Sequence, residues 1–97
     1  MRAAALLAPV GRLFKSPIAR GDEAFAAGKL FEALRHWRKA STAGDARADY
    51  LIGALFEDGQ GVLRDAVEAA KWFRRAADRG HAGAQVRLAR ILFHGAA

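Results

Sequence analysis

The sequence predicts an all-α fold, an α-solenoid of antiparallel helix pairs with about five helices and an N-terminal segment. Three observations predict it. The chain matches itself at an offset of 36 residues, and apolar residues recur at helical spacing between glycine stops. The sustained alternation and hairpin turn pairs typical of strands are absent from the sequence. With 97 residues, of which 53% are hydrophobic, the chain is the size of one such domain.

The self-match preserves residue size, charge and glycine placement together, which indicates a duplicated unit. We interpret Trp37 and Phe73 as equivalent bulky side chains in successive two-helix units. Small alanines on the same faces would let the helix axes approach while the aromatic rings fill the space between them. The aligned pairs include Trp37 with Phe73, Arg38 with Arg74, Ala40 with Ala76, Gly44 with Gly80, Ile52 with Leu88, and Gly59 with Gly95.

Cap and stop residues place the five helices in order. Ser16 before a proline, Asp45, and Asp65 with Glu68 three residues later are N-terminal signals. Glycines follow the first four apolar stripes and supply the left-handed stops. The predicted helices cover about 17–27, 30–43, 45–58, 65–80 and 82–93, so residues 16–97 form the repeat domain.

Residues 46–95 carry the most specific motifs of the chain. The segments ADYLIGALF (48–56), GQGV (59–62), AAKWFRRAA (69–77) and GHA (80–82) closely resemble the Sel1-like repeat. The preceding unit, from Gly21 to Ala40, resembles a tetratricopeptide repeat, which has a tighter turn between its helices. The resemblance covers about 75 of 97 residues and implies about two and a half repeats. It also implies a scaffold or adaptor for other proteins, with no chemistry of its own.

The resemblance further implies that the first helix of each pair lines a concave wall, where such repeats bind their partners. Exposed aromatic side chains beside a few charges are typical of an anchoring groove. The alternative for Phe25, Tyr50 and Phe93 is ordinary packing between helices. The wall positions are Ile18, Asp22 and Phe25 in the first unit, Arg47, Tyr50, Ala54 and Glu57 in the second, and Val86, Arg90 and Phe93 in the third.

Two other surfaces yield expectations. The third repeat begins at Ala82 and contains only its first helix, which is more apolar than one contact stripe requires. We expect a partner chain or self-association to cover it, the alternative being an imperfect end cap. The second helices repeat basic pairs, Arg38-Lys39 and Arg74-Arg75, joined by Arg35, Lys71 and Arg79. We expect these charges to form a solvated face, with an acidic partner as the alternative.

Residues 1–15 form a basic amphipathic segment without acids. Its apolar residues fall within one helical arc, although Pro9 would interrupt the helix. A capping helix over the first repeat, a partner-docking helix, an organelle-targeting peptide and a tether to a membrane or anionic surface all fit this pattern. A secretory signal fits poorly, because the apolar run is short and no cleavage site follows it.

Several function classes are disfavoured by composition. The chain has no cysteine, and the spacing of His36, His81 and His94 matches no metal-ligand motif, so no enzyme activity, catalytic residue, cofactor or metal is predicted. No apolar run reaches the length of a membrane span. The net charge of +6 raises nucleic acid as a third kind of partner, but acidic residues in the middle interrupt any basic stripe. The compartment stays open, with the cytoplasm slightly favoured.

Overall fold

The computed structural model describes residues 15–94 and contains five helices and no strand within that range. The all-α prediction is therefore confirmed, and each predicted helix end lies within two residues of the observed one. The predicted amphipathic helix falls almost entirely on residues 1–14, which lie outside the described residues. The helices are α1 (Pro17–Ala26), α2 (Leu30–Thr42), α3 (Ala46–Asp58), α4 (Ala66–Asp78) and α5 (Ala82–His94).

Side-chain caps begin the helices where the sequence predicts them. Asp45 accepts hydrogen bonds from the first-turn amides of α3, and Ser16 does the same for α1. Asp65 accepts from the amide of Glu68 at 3.0 Å, which is half of a capping box. The other half is absent, because the Asp65 amide donates instead to the Phe56 carbonyl at 2.9 Å. This bond fixes the long loop between α3 and α4.

Each helix packs against the next one along the chain, which produces an elongated body of 59 × 27 × 17 Å. Pairs α1–α2 and α3–α4 form two complete units, and α5 begins a third by packing on α4. The connection inside the first pair covers residues 27–29, whereas that inside the second covers 59–65. This difference is the tighter first turn that the sequence predicts.

Trp37 and Phe73 occupy equivalent positions in the two units. Both are buried, with 1% and 0% of their surface exposed, and each ring lies against a glycine of the preceding helix. A Cβ added to Gly21 would lie 2.2 Å from Trp37 Cδ1, and one added to Gly53 would lie 2.7 Å from Phe73 Cε1. The two-helix unit is therefore built twice in the same way, with a bulky ring seated on a glycine.

Candidate protein-interaction surface

The ten wall positions lie on α1, α3 and α5 at helical spacing, as the repeat alignment requires. We call this set the first-helix wall. The structure places its members in three environments: a junction between α1 and α3, a stacked aromatic site in the middle, and an exposed stripe on α5.

The junction between α1 and α3 is built around Asp22. Its carboxylate accepts a hydrogen bond from Trp37 Nε1 at 3.2 Å and pairs with the Arg47 guanidinium at 2.9 Å. Phe25, 41% exposed, lies against the Trp37 ring with the two centroids 5.6 Å apart. Ile18 is half-buried against the first core cluster. Asp22 and Arg47 are thus engaged within the chain, and Phe25 keeps a free edge.

Tyr50 occupies the middle of the wall and is half-buried. Its ring stacks on His81 with centroids 4.4 Å apart and an interplanar angle of 19°. Phe73 lies at 5.7 Å, and the Arg87 guanidinium lies 5.2 Å from the Tyr50 centroid. His81 is itself positioned by the backbone, because its Nδ1 accepts the Ala84 amide at 3.0 Å and caps α5. Tyr50 therefore serves inter-helix packing as well as the wall surface.

Glu57 links the middle of the wall to α5. Its carboxylate pairs with Arg87 at 3.0 Å and with Arg90 at 3.6 Å. Asp58 and Arg64 complete a polar hollow of about 430 Å³ around these groups. The Arg90 side chain is 55% exposed, so its guanidinium can also reach a carboxylate from outside the chain.

The α5 edge of the wall is open. Val86 and Phe93 lie seven residues apart on one stripe with Arg90 between them, and they are 66% and 86% exposed. Such exposed apolar surface beside a charge is typical of interaction sites. Of the wall residues, those on α5 are the most accessible, and those on α3 are the most engaged in internal contacts.

A buried ionic cluster behind the wall was missed by the sequence analysis. Asp49 is completely buried, and its carboxylate accepts from Ser41 Oγ at 2.5 Å and from Arg79 Nη1 at 2.7 Å. Arg75 donates to Ser41 Oγ at 2.9 Å, and Arg79 also donates to the Ser41 carbonyl at 3.2 Å. The expectation that the repeated basic residues form a solvated face is therefore wrong for Arg75 and Arg79. The cluster joins α2, α3 and α4.

Trp72 lies close to two guanidinium groups at the interface of the two units. Arg75 and Arg38 are 4.8 and 5.8 Å from its ring centroid, and the ring packs against the core cluster that contains Leu34 and Leu55. Its indole N–H is buried without a hydrogen-bond partner among the described residues. Trp72 therefore contributes shape and cation–π contact to the interface.

The histidines do not form a metal site in the described part of the chain. Between residues 15 and 94, no group of three histidine, aspartate or glutamate side chains is arranged to hold a metal ion. Partial burial lowers the pKa of His36, and the nearby Arg35 and Lys39 lower it further. None of the helices in this range has the length and apolar character needed to cross a membrane.

The comparison with family models gives one match, to the Sel1 repeat, at residues 30–45, 46–81 and 82–97. These segments cover more than two thirds of the chain. The middle one contains all of α3 and α4, whereas the other two contain the second helix of one unit and the first helix of another.

Curated relatives match the same region. Chitin synthase regulatory factor 3 of Schizosaccharomyces pombe is 42% identical over 57 residues, which are 59% of this chain and 6% of the relative. DAP3-binding cell death enhancer 1 of Rattus norvegicus is 36% identical over 63 residues, 65% of this chain and 12% of the relative. Chitin synthase regulatory factor 2 of Schizosaccharomyces pombe is 36% identical over 64 residues, 66% and 12% respectively. The chain thus spans an eighth or less of these relatives. No solved structure matches it significantly.

Proposed function

Because the chain belongs to the Sel1 repeat family, we propose that it is a protein-interaction module, an adaptor or small scaffold subunit that binds a partner protein or peptide through the first-helix wall. The module needs no chemistry of its own for this role. The names of two relatives describe regulators, and that of a third describes binding to another protein. These names support an adaptor role in general terms, since the relatives are much longer than this chain.

The observation that carries the proposal is the open α5 edge of the wall. Val86 and Phe93 expose large apolar surfaces on the same stripe as Arg90. A partner that covers this stripe would remove apolar surface from water, at about 25 cal/mol per Å². Arg90 lies 3.6 Å from Glu57, so a partner carboxylate can compete for it without breaking the closer Arg87 pair. We therefore expect a partner segment with an apolar anchor and an acidic residue near it.

The proposal is tested by capture from a native lysate on the immobilised full chain. The variant Val86→Ser with Phe93→Ser should lose the partners that the unchanged chain retains. A matched control, Phe31→Ser with Leu63→Ser, removes two exposed apolar residues that lie outside the wall and should retain them. If the wall variant and the control capture the same proteins as the unchanged chain, the first-helix wall is not the binding surface.

The other two kinds of partner stay predictions. A tether through residues 1–15 predicts co-sedimentation with anionic vesicles that is lost when those residues are removed. Nucleic-acid binding predicts an affinity that falls steeply as salt is raised. Vesicle binding that survives the truncation would exclude the tether through residues 1–15. The absence of nucleic-acid binding at low salt would exclude a nucleic-acid partner.

A further inference from the structure

A second surface, separate from the first-helix wall, lies along α4 and the end of α5. It is an open groove of about 590 Å³, which we call the end groove. Leu92, 58% exposed, and the buried Ile91 provide its apolar side on α5. The residues that line it on α4 include Val67, Ala70 and Arg74.

The chain itself shows what these repeat positions receive. The residues 36 positions earlier in the chain form the equivalent surface of the preceding repeat, and an indole covers that surface. Trp72 of α4 packs there against the cluster that contains Leu34 and Leu55. The Arg38 guanidinium lies over the same indole. The end groove repeats this socket and widens it, because alanine replaces leucine at one position. The corresponding pairs are Leu34 with Ala70, Arg38 with Arg74, Leu55 with Ile91 and Phe56 with Leu92.

The ionic part of that interface is not repeated. In the first interface, Arg75 of α4 and Arg79, the residue that follows α4, reach the buried Asp49 and the Ser41 hydroxyl and carbonyl. At the end groove, the position of Asp49 is held by Gln85 and that of Ser41 by Ala77. The position of Asp49 on α5 therefore carries a neutral amide, and the carboxylates that line the groove, Glu68 and Asp78, lie on α4.

The close approach is not repeated either. The Phe73 ring packs directly on Gly53, and a Cβ added to this glycine would lie only 2.7 Å from the ring. The equivalent residue on α5 is Ala89, whose methyl group occupies that space. A helix with the residues of α4 would therefore meet a methyl group where it needs a glycine, and a neutral amide where it needs a carboxylate.

We propose that the end groove binds a helix of a partner protein that carries a tryptophan, has a small residue where α4 has Phe73, and presents no arginine to Gln85. The tryptophan would lie between Ala70 and Leu92, beneath the Arg74 guanidinium. Charge complementarity supports a neutral helix, because Arg74 and Asp78 both line the groove and neither forms a salt bridge within residues 15–94. This surface and the first-helix wall can be occupied independently.

The test uses the full chain and two fluorescent 16-residue peptides in an anisotropy titration. One peptide has the natural sequence of residues 64–79, and the other is its variant Phe73→Ala, Arg75→Glu, Arg79→Gln. The variant peptide should bind at least about tenfold more tightly, and Trp72→Ala in that peptide should weaken binding by about tenfold or more, as expected for a central aromatic anchor. Tighter or equal binding of the natural peptide would overturn the proposal, as would no binding of the variant peptide.

Changes in the protein locate the site. Leu92→Glu should weaken binding of the variant peptide about tenfold, whereas Phe93→Ser, on the wall, should leave it unchanged. The double variant Gln85→Asp, Ala89→Gly should shift the preference toward the natural peptide, because it restores the carboxylate and the glycine of the first interface. An unchanged affinity in Leu92→Glu, or an unchanged preference in the double variant with its helicity intact, would contradict the assignment.

Sedimentation velocity on the chain alone identifies the competing occupant. A monomer across the concentration series is expected, since the groove is assigned to another protein. A dimer that Leu92→Glu dissociates would mean that a second copy fills the groove, and the proposal would then be wrong.

Discussion

Replacing Gly53 by alanine should destabilise the domain, although alanine is the better helix former. Gly53 lies inside α3, and the Phe73 ring from α4 packs directly on it. The added methyl carbon would stand 2.7 Å from Phe73 Cε1 and 2.8 Å from its Cδ1. Optimal carbon–carbon contacts are about 3.5–4.0 Å. Phe73 is completely buried, so its ring cannot swing into solvent to relieve the overlap.

Two opposing terms set the size of the effect. Overpacking a well-filled core costs about 1–3 kcal/mol, and the helix propensity of alanine returns about 1 kcal/mol. Because the overlap here is with the side of a rigid ring, we place the cost near the top of its range and expect a net loss of about 1–2 kcal/mol. Gly21→Ala should lose more, since its methyl carbon would lie only 2.2 Å from Trp37 Cδ1.

Urea unfolding followed by circular dichroism at 222 nm measures these losses. With a typical dependence of 1–3 kcal/mol per molar urea, the midpoint for Gly53→Ala should fall by about 1 M. Ala89→Gly is the matched control, because it exchanges the same two residues in reverse at an exposed helical position of α5. It should lose only the propensity term of about 1 kcal/mol.

A second substitution separates packing from propensity. Phe73→Leu shortens the side chain that the new methyl group meets, so Gly53→Ala should cost less in that background than in the unchanged chain. The coupling energy between the two substitutions should exceed about 0.5 kcal/mol, the limit for independent sites. Additive effects, or a stabilisation by Gly53→Ala alone, would refute the view that the aromatic ring and the glycine form one contact.

Three further predictions address the other internal contacts. Asp49→Asn should cost about 3 kcal/mol in urea unfolding, at the low end for a broken buried pair because Arg79 keeps 35% of its side chain in solvent; a loss below about 0.5 kcal/mol, the range of a neutral surface change, would contradict this. Trp72→Phe should lower the free energy of unfolding by less than half as much as Trp72→Ala, because the indole N–H that it removes has no hydrogen-bond partner in the described chain. Equal losses in the two variants would show that the N–H is hydrogen-bonded. Folding lowers the pKa of His36 through burial and the nearby Arg35, so between its ordinary value of 6.5 and the lower folded value the unfolded chain holds more protons. Stability should therefore fall as pH is lowered through that window, and His36→Gln should reduce this fall; an unchanged pH profile in the variant would disprove the contribution.

The helices and their ends could be predicted from the sequence because their causes are local. A cap at Asp45 or Asp65 needs only an acceptor two or three residues before a free amide. The equivalence of Trp37 and Phe73 could also be predicted, because stacking repeats must present the same shape at each interface. Their burial against Gly21 and Gly53 confirms that interpretation.

The Asp49 cluster could not be predicted in the same way. Its members lie on three helices, and Arg79 is 30 residues from Asp49 along the chain. The repeat alignment also conceals it, because Ser41 and Asp49 align with Ala77 and Gln85. The one available signal was that mismatch: an acid on the face of α3 that holds Ile52 and Ala48 has to be paired or exposed. Its partners Arg75 and Arg79 belong to a set of basic residues that recurs along the surface, so their sequence pattern does not indicate contact with the core.

Comparison of equivalent positions in the repeats distinguishes residues that stack the helices from residues on the proposed binding wall. Positions that fill the core agree from α3 to α5, as with Ala48 and Ala84, both completely buried. Positions on the wall differ: Tyr50 aligns with Val86, and Glu57 with Phe93. Stacking requires one shape at every interface, whereas a bound partner meets different chemistry at each step.

The same reasoning explains why α5 carries both proposed surfaces. Its buried residues preserve the stack on α4, but its wall stripe has exchanged a half-buried tyrosine and a paired glutamate for exposed apolar side chains. On its other flank, Gln85 and Ala89 replace the acid and the glycine with which α3 receives α4. If α5 packed against another helix with the sequence of α4, we would expect it to keep that acid and that glycine. Their replacement, next to a preserved indole socket, favours an occupant with a different sequence.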